Sequence, residues 1–411
     1  MQLGNWKRRK FELAEFAAYK KIIFGSERKG EKHLITYYKY FILFDLFHIL
    51  GYKIKHKDKA ALDKVIKKFL AEFSDADVDK KLVNEIIKIF MEGDMGKLQN
   101  FAEDFRLKEE SEYIRCIISN YNFKETMPKT VMVTATMSAG KSTFINALIG
   151  KYVCLSQNMA CTSKIHRIIN KPFEDGFIDK YDHDLALAAG KEELLHNNES
   201  NRSDRIIVGT RFIGELCNER IIVDDSPGVN FSRNYEHKTI TEKMIKSRNF
   251  NLLIYIMNAT QLGTNDESSH LEYVKKTIGR TPVLFLINKI DTFNIEEEDI
   301  EATIKRQIDF LKKKGFKNPM VCPVSSRAGY LAKRFMSTGL SRTEMRELYS
   351  LVDKFEQMNL PGYYVKAFKK ISVPDSEKEE EQLLKTSGVS YVEKIIQVLT
   401  TGGNENGTDV R

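Results

Sequence analysis

The chain has 411 residues, enough for two or three domains at roughly 150 residues each. Hydrophobic residues make up 42% and charged residues 30%, with 23 glycines and 8 prolines, which excludes wholesale disorder and a fibrous repeat. Five cysteines, Cys116, Cys154, Cys161, Cys217 and Cys322, form no CxxC pair, so neither a disulfide framework nor a zinc ribbon is indicated and a reducing cytoplasm fits best.

The formal net charge of +8 is concentrated at one end. Residues 1–60 hold 14 Lys plus Arg against 6 Asp plus Glu, and the remainder of the chain balances at 51 against 51. Such a patch can attract nucleic acid, anionic lipid or an acidic partner; the solvated faces of amphipathic helices account for it more simply. The most apolar stretch, FILFDLFHIL from Phe41, is interrupted by Asp45 and His48 and falls short of a membrane span. MQLGNWKRRK lacks the apolar segment of a signal peptide, so the expectation is a protein neither exported nor membrane-spanning.

In chain order, the first signals are helical. Leu62, Val65, Ile66, Phe69, Leu70 and Phe73 recur at helical spacing, as do Leu82, Val83, Ile86, Ile87 and Phe90. Residues 1–127 are therefore expected to form an all-α helical domain ended by Pro128. The aromatic run Tyr37, Tyr38, Tyr40, Phe41, Phe44 and Phe47 is expected to be its buried face, with insertion into a lipid interface as the alternative.

After Pro128 short β-rich runs alternate with helical segments: VMVT at 131, RIIV at 205, RIIVD at 220, LLIYIM at 252, PVLFLIN at 282 and MVCPV at 320. Capping-box spacings lie at Thr264 to Glu267, Asn294 to Glu297 and Ser341 to Glu344. Continuous apolar strands separated by helices predict an α/β domain with a mainly parallel sheet over 128–399. The polar tract 171–204 is expected to be a surface insertion and 400–411 a flexible tail.

The strand at 131 runs into ATMSAGKST and then FINALIG. This nearly matches the phosphate-binding pattern GxxxxGK[ST], with Ala135 in the place of the first glycine, and makes the domain a candidate P-loop NTPase. The loop Ala135, Met137, Ser138, Ala139, Gly140, Lys141, Ser142 and Thr143 brings backbone amides and a helix N-terminus to a phosphate. Lys141 would reach the β- and γ-phosphates and Ser142 would ligate Mg²⁺. IIVDDSPG supplies DxxG from Asp225 to Gly228: Asp225 for the magnesium shell, Gly228 for the γ-phosphate, with Asp224 as an alternative acid one residue early.

NKID, Asn288, Lys289 and Asp291, places a carboxylate where it can accept the N1 and N2 hydrogens of guanine, a donor pair absent from adenine. That pairing selects GTP or GDP. Ser325 and Ser326 of PVSSR can bring a backbone amide near the guanine O6. The hydroxyl that closes over magnesium should come from NMACTSKIHRI, where Thr162 is preferred to Ser163. Val229 occupies the position after DxxG and cannot orient water, so hydrolysis requires a partner's arginine, a bound monovalent cation or a second copy of the chain.

TMSAGKSTFINALIG, CTSKI, DSPG with an apolar residue after it, MNATQLGTND and NKID together resemble the dynamin superfamily, specifically its bacterial members, over about 128–398. The resemblance implies a GTPase domain that dimerises across its nucleotide face, a cation such as K⁺ beside the phosphates, and hydrolysis coupled to membrane remodelling. It makes Ser138 the cation-binding loop serine and Thr162 the water-positioning residue, so that Lys141, Ser138 and Thr162 are the catalytic candidates. Ser142, Thr162 and Asp225 are the metal candidates. Met137 stands where eukaryotic members carry glutamine.

Family members continue into a long helical stalk. Here only residues 1–127 and the segment near 341–357 are expected to supply such helices, so a stalk is absent, truncated or carried by a partner protein, and membrane contact would be peripheral. The competing class is a regulatory GTPase that captures RNA or a protein through the basic N-terminal segment. His183 in YDHDL is expected to be a solvated loop residue. Cys154 and Cys161 flank the switch segment and are expected to be buried small apolar residues, with oxidation sensing as the alternative.

Overall fold

The β-rich runs after Pro128 become strands because each can bury both faces beneath helices. The computed structural model describes residues 81, 85, 88, 89, 94–102, 115, 118, 119, 122, 123, 125–154, 165–172, 174, 178–181, 185, 186, 189, 190, 194, 205–228, 235–294, 296 and 299–401. The helical periodicity expected at 58–73 and at 82–90 lies almost wholly outside them, as do the aromatic run at 37–47 and His183. The chain divides into residues 1–127 with 171–188, and residues 128–170 with 189–411.

In the first unit, helix α1 (Met95–Ala102) starts where Asp94 accepts the Lys97 amide at 3.0 Å. A short antiparallel hairpin pairs β3 (Asp179–Tyr181) with β4 (Leu185–Ala186). Lys171 and Asp179 form a fully buried ion pair at 2.7 Å. Within the described part of the polar tract Lys171, Asp179 and Lys180 are buried and Glu174 is exposed.

The second unit is built on strands β1 (Lys129–Ala135), β2 (Ile165–Asn170), β5 (Arg205–Thr210), β6 (Ile221–Asp225), β7 (Leu252–Asn258), β8 (Val283–Asn288) and β9 (Met320–Val324). Their order is β5-β2-β6-β1-β7-β8-β9. All six runs expected from the sequence are strands, and all neighbours pair in parallel except β2 with β6. The sheet is mixed and mostly parallel.

Strand β2, IHRIIN, was not among the expected strands. It carries two polar residues in succession, His166 and Arg167, and Arg167 is matched by Asp224 directly opposite it on β6 through two hydrogen bonds of 2.8 Å.

Helices α2 (Lys141–Ile149), α3 (Tyr235–Ser247), α4 (Asn265–Thr277), α5 (Ile300–Lys313), α6 (Ser326–Ser337) and α7 (Arg342–Met358) connect the strands or follow them. Three start signals behave differently. Ser341 and Glu344 form a complete capping box. Thr264 accepts the Glu267 amide, but the Glu267 carboxylate turns to the Gly263 amide at 2.6 Å. Asn294 accepts the Glu296 amide instead, and α5 begins later, capped by Asp299.

Helices α8 (Leu360–Ala367), α9 (Glu379–Thr386) and α10 (Val389–Thr401) were not anticipated. They belong to the core, because Val389, Val392, Ile395 and Ile396 of α10 are fully buried. Lys333 of α6 donates to Glu393 of α10 at 2.6 Å and to the Leu148 carbonyl of α2 at 2.8 Å. Both partners of that ion pair are buried, which raises the Glu393 carboxyl and lowers the Lys333 amine.

Edge strand β9 is protected by chemistry. Pro323 removes one outward donor, and Tyr363 and Tyr364 donate to the Val321 and Pro323 carbonyls, each at 2.7 Å. Among the described residues no helix is long and apolar enough to cross a membrane.

Candidate nucleotide site

The site lies at the C-terminal ends of β1, β6 and β8, where ligands of open α/β sheets bind. β1 ends at Ala135, whose φ is not positive, so its replacement of glycine carries no backbone strain. The chain then curls through Ser138 at φ 61° and Gly140 at φ 86° before entering α2. Gly140 is the N-cap and provides no side-chain acceptor, so the first amides of α2, including those of Ser142 and Thr143, point outward without a capping oxygen. Met137, on the loop rim, is 54% exposed.

The order of acids along β6 follows the pleat. Successive side chains take opposite faces, so Asp224 meets Arg167 on one face and Asp225 meets the Lys141 ammonium on the other. Arg167 is raised above its ordinary value chiefly by its hydrogen bonds to Asp224. The other Asp225 oxygen lies 3.8 Å from the Cys154 sulfur. Burial, reinforced by Asp225, pushes the Cys154 thiol well above its ordinary range. The oxygen donors Ser142 and Asp225, a hydroxyl and a carboxylate, are of the hard type that Mg²⁺ accepts.

Asn288 ties the two halves of the site together. Its amide nitrogen donates to the Ala139 carbonyl at 2.9 Å, and its oxygen accepts from the Ser326 amide at 3.0 Å and hydroxyl at 2.7 Å. Lys289 follows in the left-handed region at φ 68°, and the Ser325 hydroxyl donates to Asp291 at 2.6 Å. The phosphate loop, NKID and the paired serines therefore form one connected cluster. The amides of Ser325 and Ser326 are engaged within the protein, the former with the Ser387 carbonyl at 2.9 Å.

Gly228 ends the described part of DxxG, and a Cβ built on it would come no nearer than 3.9 Å to Met137. Thr162, Ser163, Cys161 and Val229 lie outside the described residues.

Several buried polar groups beside the loop carried no sequence signal. His270 pairs with Thr134 at 3.0 Å beneath β1, and burial lowers the imidazole to about 3, so it remains neutral. Asn146 pins the segment after α2 by accepting the amides of Val153 and Cys154 at 2.9 and 2.8 Å.

Glu267 sits behind the loop that follows β7, where burial lifts its carboxyl to about 7 against a bond from the Gly263 amide that lowers it. Between pH 4.5 and about 7 the folded chain keeps a proton that the unfolded chain has released. The contribution of Glu267 to stability should therefore fall as pH rises through that window, by about 3 kcal/mol, and level off above it, while neutral His270 contributes in the opposite direction over the lower part of the window. Glu267→Gln is expected to remove this contribution, so that the stability of the variant relative to the wild type rises between about pH 5 and about pH 8 in urea unfolding; a difference that does not change with pH would rule out the Glu267 contribution.

Residues 131–290 match the family model described as Dynamin family. Two proteins described as "Bifunctional enzyme NodQ" are similar at the sequence level. The one from Rhizobium tropici is 25% identical over 195 residues, covering 46% of this chain and 27% of that protein. The one from Rhizobium meliloti (strain 1021) is 25% identical over 147 residues, covering 36% and 21%. The chain thus spans about a quarter of the length of these curated relatives.

Among solved structures, Era in complex with MgGDPNP and a segment of 16S ribosomal RNA aligns at 16% identity and a TM-score of 0.30, over 49% of this chain and 52% of that one. A variant of Aquifex aeolicus Era bound to GDP and AlF4⁻ aligns at 18% identity and a TM-score of 0.29, over the same shares.

Proposed function

We propose that the chain binds a guanine nucleoside triphosphate with Mg²⁺ and hydrolyses it to the diphosphate and phosphate. The observation that carries this reading is the Asn288 cluster, which joins the Ala139 carbonyl to Ser326 while Ser325 holds Asp291 close by. One nucleotide can then touch the loop with its phosphates and the Asp291 carboxylate with its base. The dynamin-family match over 131–290 supports the same reading.

In this mechanism the Lys141 ammonium leaves Asp225 for the β- and γ-phosphates, and the amides of Ala139 to Thr143 hold the β-phosphate oxygens. Asp225 is thereby released toward the metal shell. Ser142 and Thr162, with Asp225 acting through water, would hold Mg²⁺, which would supply positive charge to the phosphates. Gly228 offers its amide to the γ-phosphate, and Lys289 lies along the base. Asp291 accepts two hydrogens from guanine, and its hydrogen bond from Ser325 fixes the carboxylate plane. With the Ser325, Ser326 and Ala328 amides engaged within the protein, the amide of Arg327, at the second position of α6, would be the donor to O6.

The finer reading extends this to a dynamin-like GTPase. Two chains would meet across the nucleotide face, a K⁺ ion held at Ser138 would replace the missing positive finger, and Thr162 would position water where Val229 cannot. Exposed Met137 on the loop rim is suited to such a contact. Coupling to membrane remodelling follows from the family resemblance. Phosphate release per chain should rise with protein concentration and be faster in K⁺ than in Na⁺, with liposomes as a further arm. A specific activity independent of concentration and cation would remove the dimer and K⁺ parts.

Asp291→Asn retains an acceptor for Ser325 and should leave the fold intact. Exchanging the carboxylate for an amide should reduce the preference for GTP over ATP by about tenfold to a hundredfold, measured by nucleotide competition.

A further inference from the structure

The two oxygens of Asp225 face different surroundings. One takes the Lys141 ammonium, while Oδ2 faces the Cys154 sulfur. His166 is the direct cross-strand partner of Asp225 in the antiparallel β2–β6 ladder, so both side chains rise from the same face of the sheet. As a result a sulfur, an imidazole nitrogen and a carboxylate oxygen from three separate segments lie within 4.8 Å of one another. Cys154 and Asp225 are buried and His166 is half-buried.

The sulfur is held in place by the phosphate-loop helix. Asn146 of α2 accepts the Cys154 amide at 2.8 Å and donates to the Cys154 carbonyl at 2.7 Å. Asp225 and His166 are fixed by their strand pairing.

We propose that Cys154, His166 and Asp225 form a binding site for a borderline-soft divalent cation, with Zn²⁺ as its natural occupant. The ligands are the Cys154 thiolate, whose proton passes to solvent, one ring nitrogen of His166, and Asp225 Oδ2. A sulfur, nitrogen and oxygen donor set suits Zn²⁺ and disfavours Mg²⁺. Metal–ligand distances of about 2.0–2.3 Å place tetrahedral ligand atoms roughly 3.3–3.8 Å apart, so the cluster must tighten by only about 1 Å. Three protein ligands leave a fourth position for water.

One consequence rests on the GTP-binding reading: a metal on Asp225 withdraws the carboxylate from the magnesium shell, so Zn²⁺ and Mg²⁺-GTP should oppose each other. The site itself does not depend on that reading.

Co²⁺ alone, titrated into the reduced full-length chain, should produce a thiolate-to-cobalt charge-transfer band that saturates at a single equivalent and is bleached by Zn²⁺. Cys154→Ser should abolish the band, His166→Ala should weaken Co²⁺ at least about tenfold, and Cys217→Ser should change neither. A wild-type chain without the band, or a band that persists in Cys154→Ser, would overturn the site. Should Cys154→Ser fail to fold, His166→Ala decides, and wild-type Co²⁺ affinity in that variant would overturn it.

In parallel, Zn²⁺ should weaken a fluorescent GTP analogue about tenfold in the wild type and leave it unchanged in Cys154→Ser. Co²⁺ binding without nucleotide binding would sink the GTP reading alone; nucleotide binding without the Co²⁺ band would sink the metal site alone.

Discussion

Gly140→Ala is expected to abolish nucleotide binding and to destabilise the fold by about 3 kcal/mol. Two effects add. At φ 86° any Cβ is strained, by about 1 kcal/mol for alanine. The new methyl would also overlap the Asn288 side-chain amide, leaving no position in which both can remain. Asn288 would have to give up its bonds to the Ala139 carbonyl and to Ser326, each contributing about 1 kcal/mol. The loop and the base-recognition strand would then separate. Urea unfolding together with nucleotide titration checks both parts, and a Gly140→Ala chain with native stability and affinity would refute the geometry.

Lys141→Ala should weaken GTP by about a hundredfold or more while the chain stays folded. An ammonium bound to phosphate oxygens contributes about 3 kcal/mol, roughly two decades in Kd. Asp225 then loses its cation and keeps the Cys154 sulfur as its neighbour, so a smaller loss of stability should accompany the binding defect. Circular dichroism separates the two. Retained wild-type affinity would overturn the phosphate-loop assignment.

The sheet was legible because its central strands are continuous apolar runs: LLIYIM and VLFLIN are buried almost throughout, and such runs alternating with helical segments are the pattern of a covered parallel sheet. Strand β2 was hidden because its polar residues are neutralised by partners far along the chain; Arg167 reads as a loop residue until Asp224 is placed opposite it. Spacing favoured Asp225 over Asp224, but it could not show what each acid meets. Their surroundings depend on which face of β6 each occupies, which strand pairing sets.

Helices 360–401 escaped notice since their burial depends on tertiary partners, among them Lys333 with Glu393 and Tyr364 with Tyr391, whose rings stack at 4.5 Å. For the site, GKS and NKID were legible as short strings at strand ends. The Asn288 bridge between them and the gathering of Cys154, His166 and Asp225 were not, because each joins residues remote in sequence.

The central claim is that one ligand touches both the phosphate loop and Asp291. Competition against a fluorescent GTP analogue tests it most directly, with GTP, GDP, ATP and inorganic triphosphate as competitors. GTP and GDP should displace the analogue at low concentration, and ATP and triphosphate should fail to do so. Equal displacement by ATP would contradict recognition of guanine by residue 291, and no binding of the analogue at all would contradict the shared pocket.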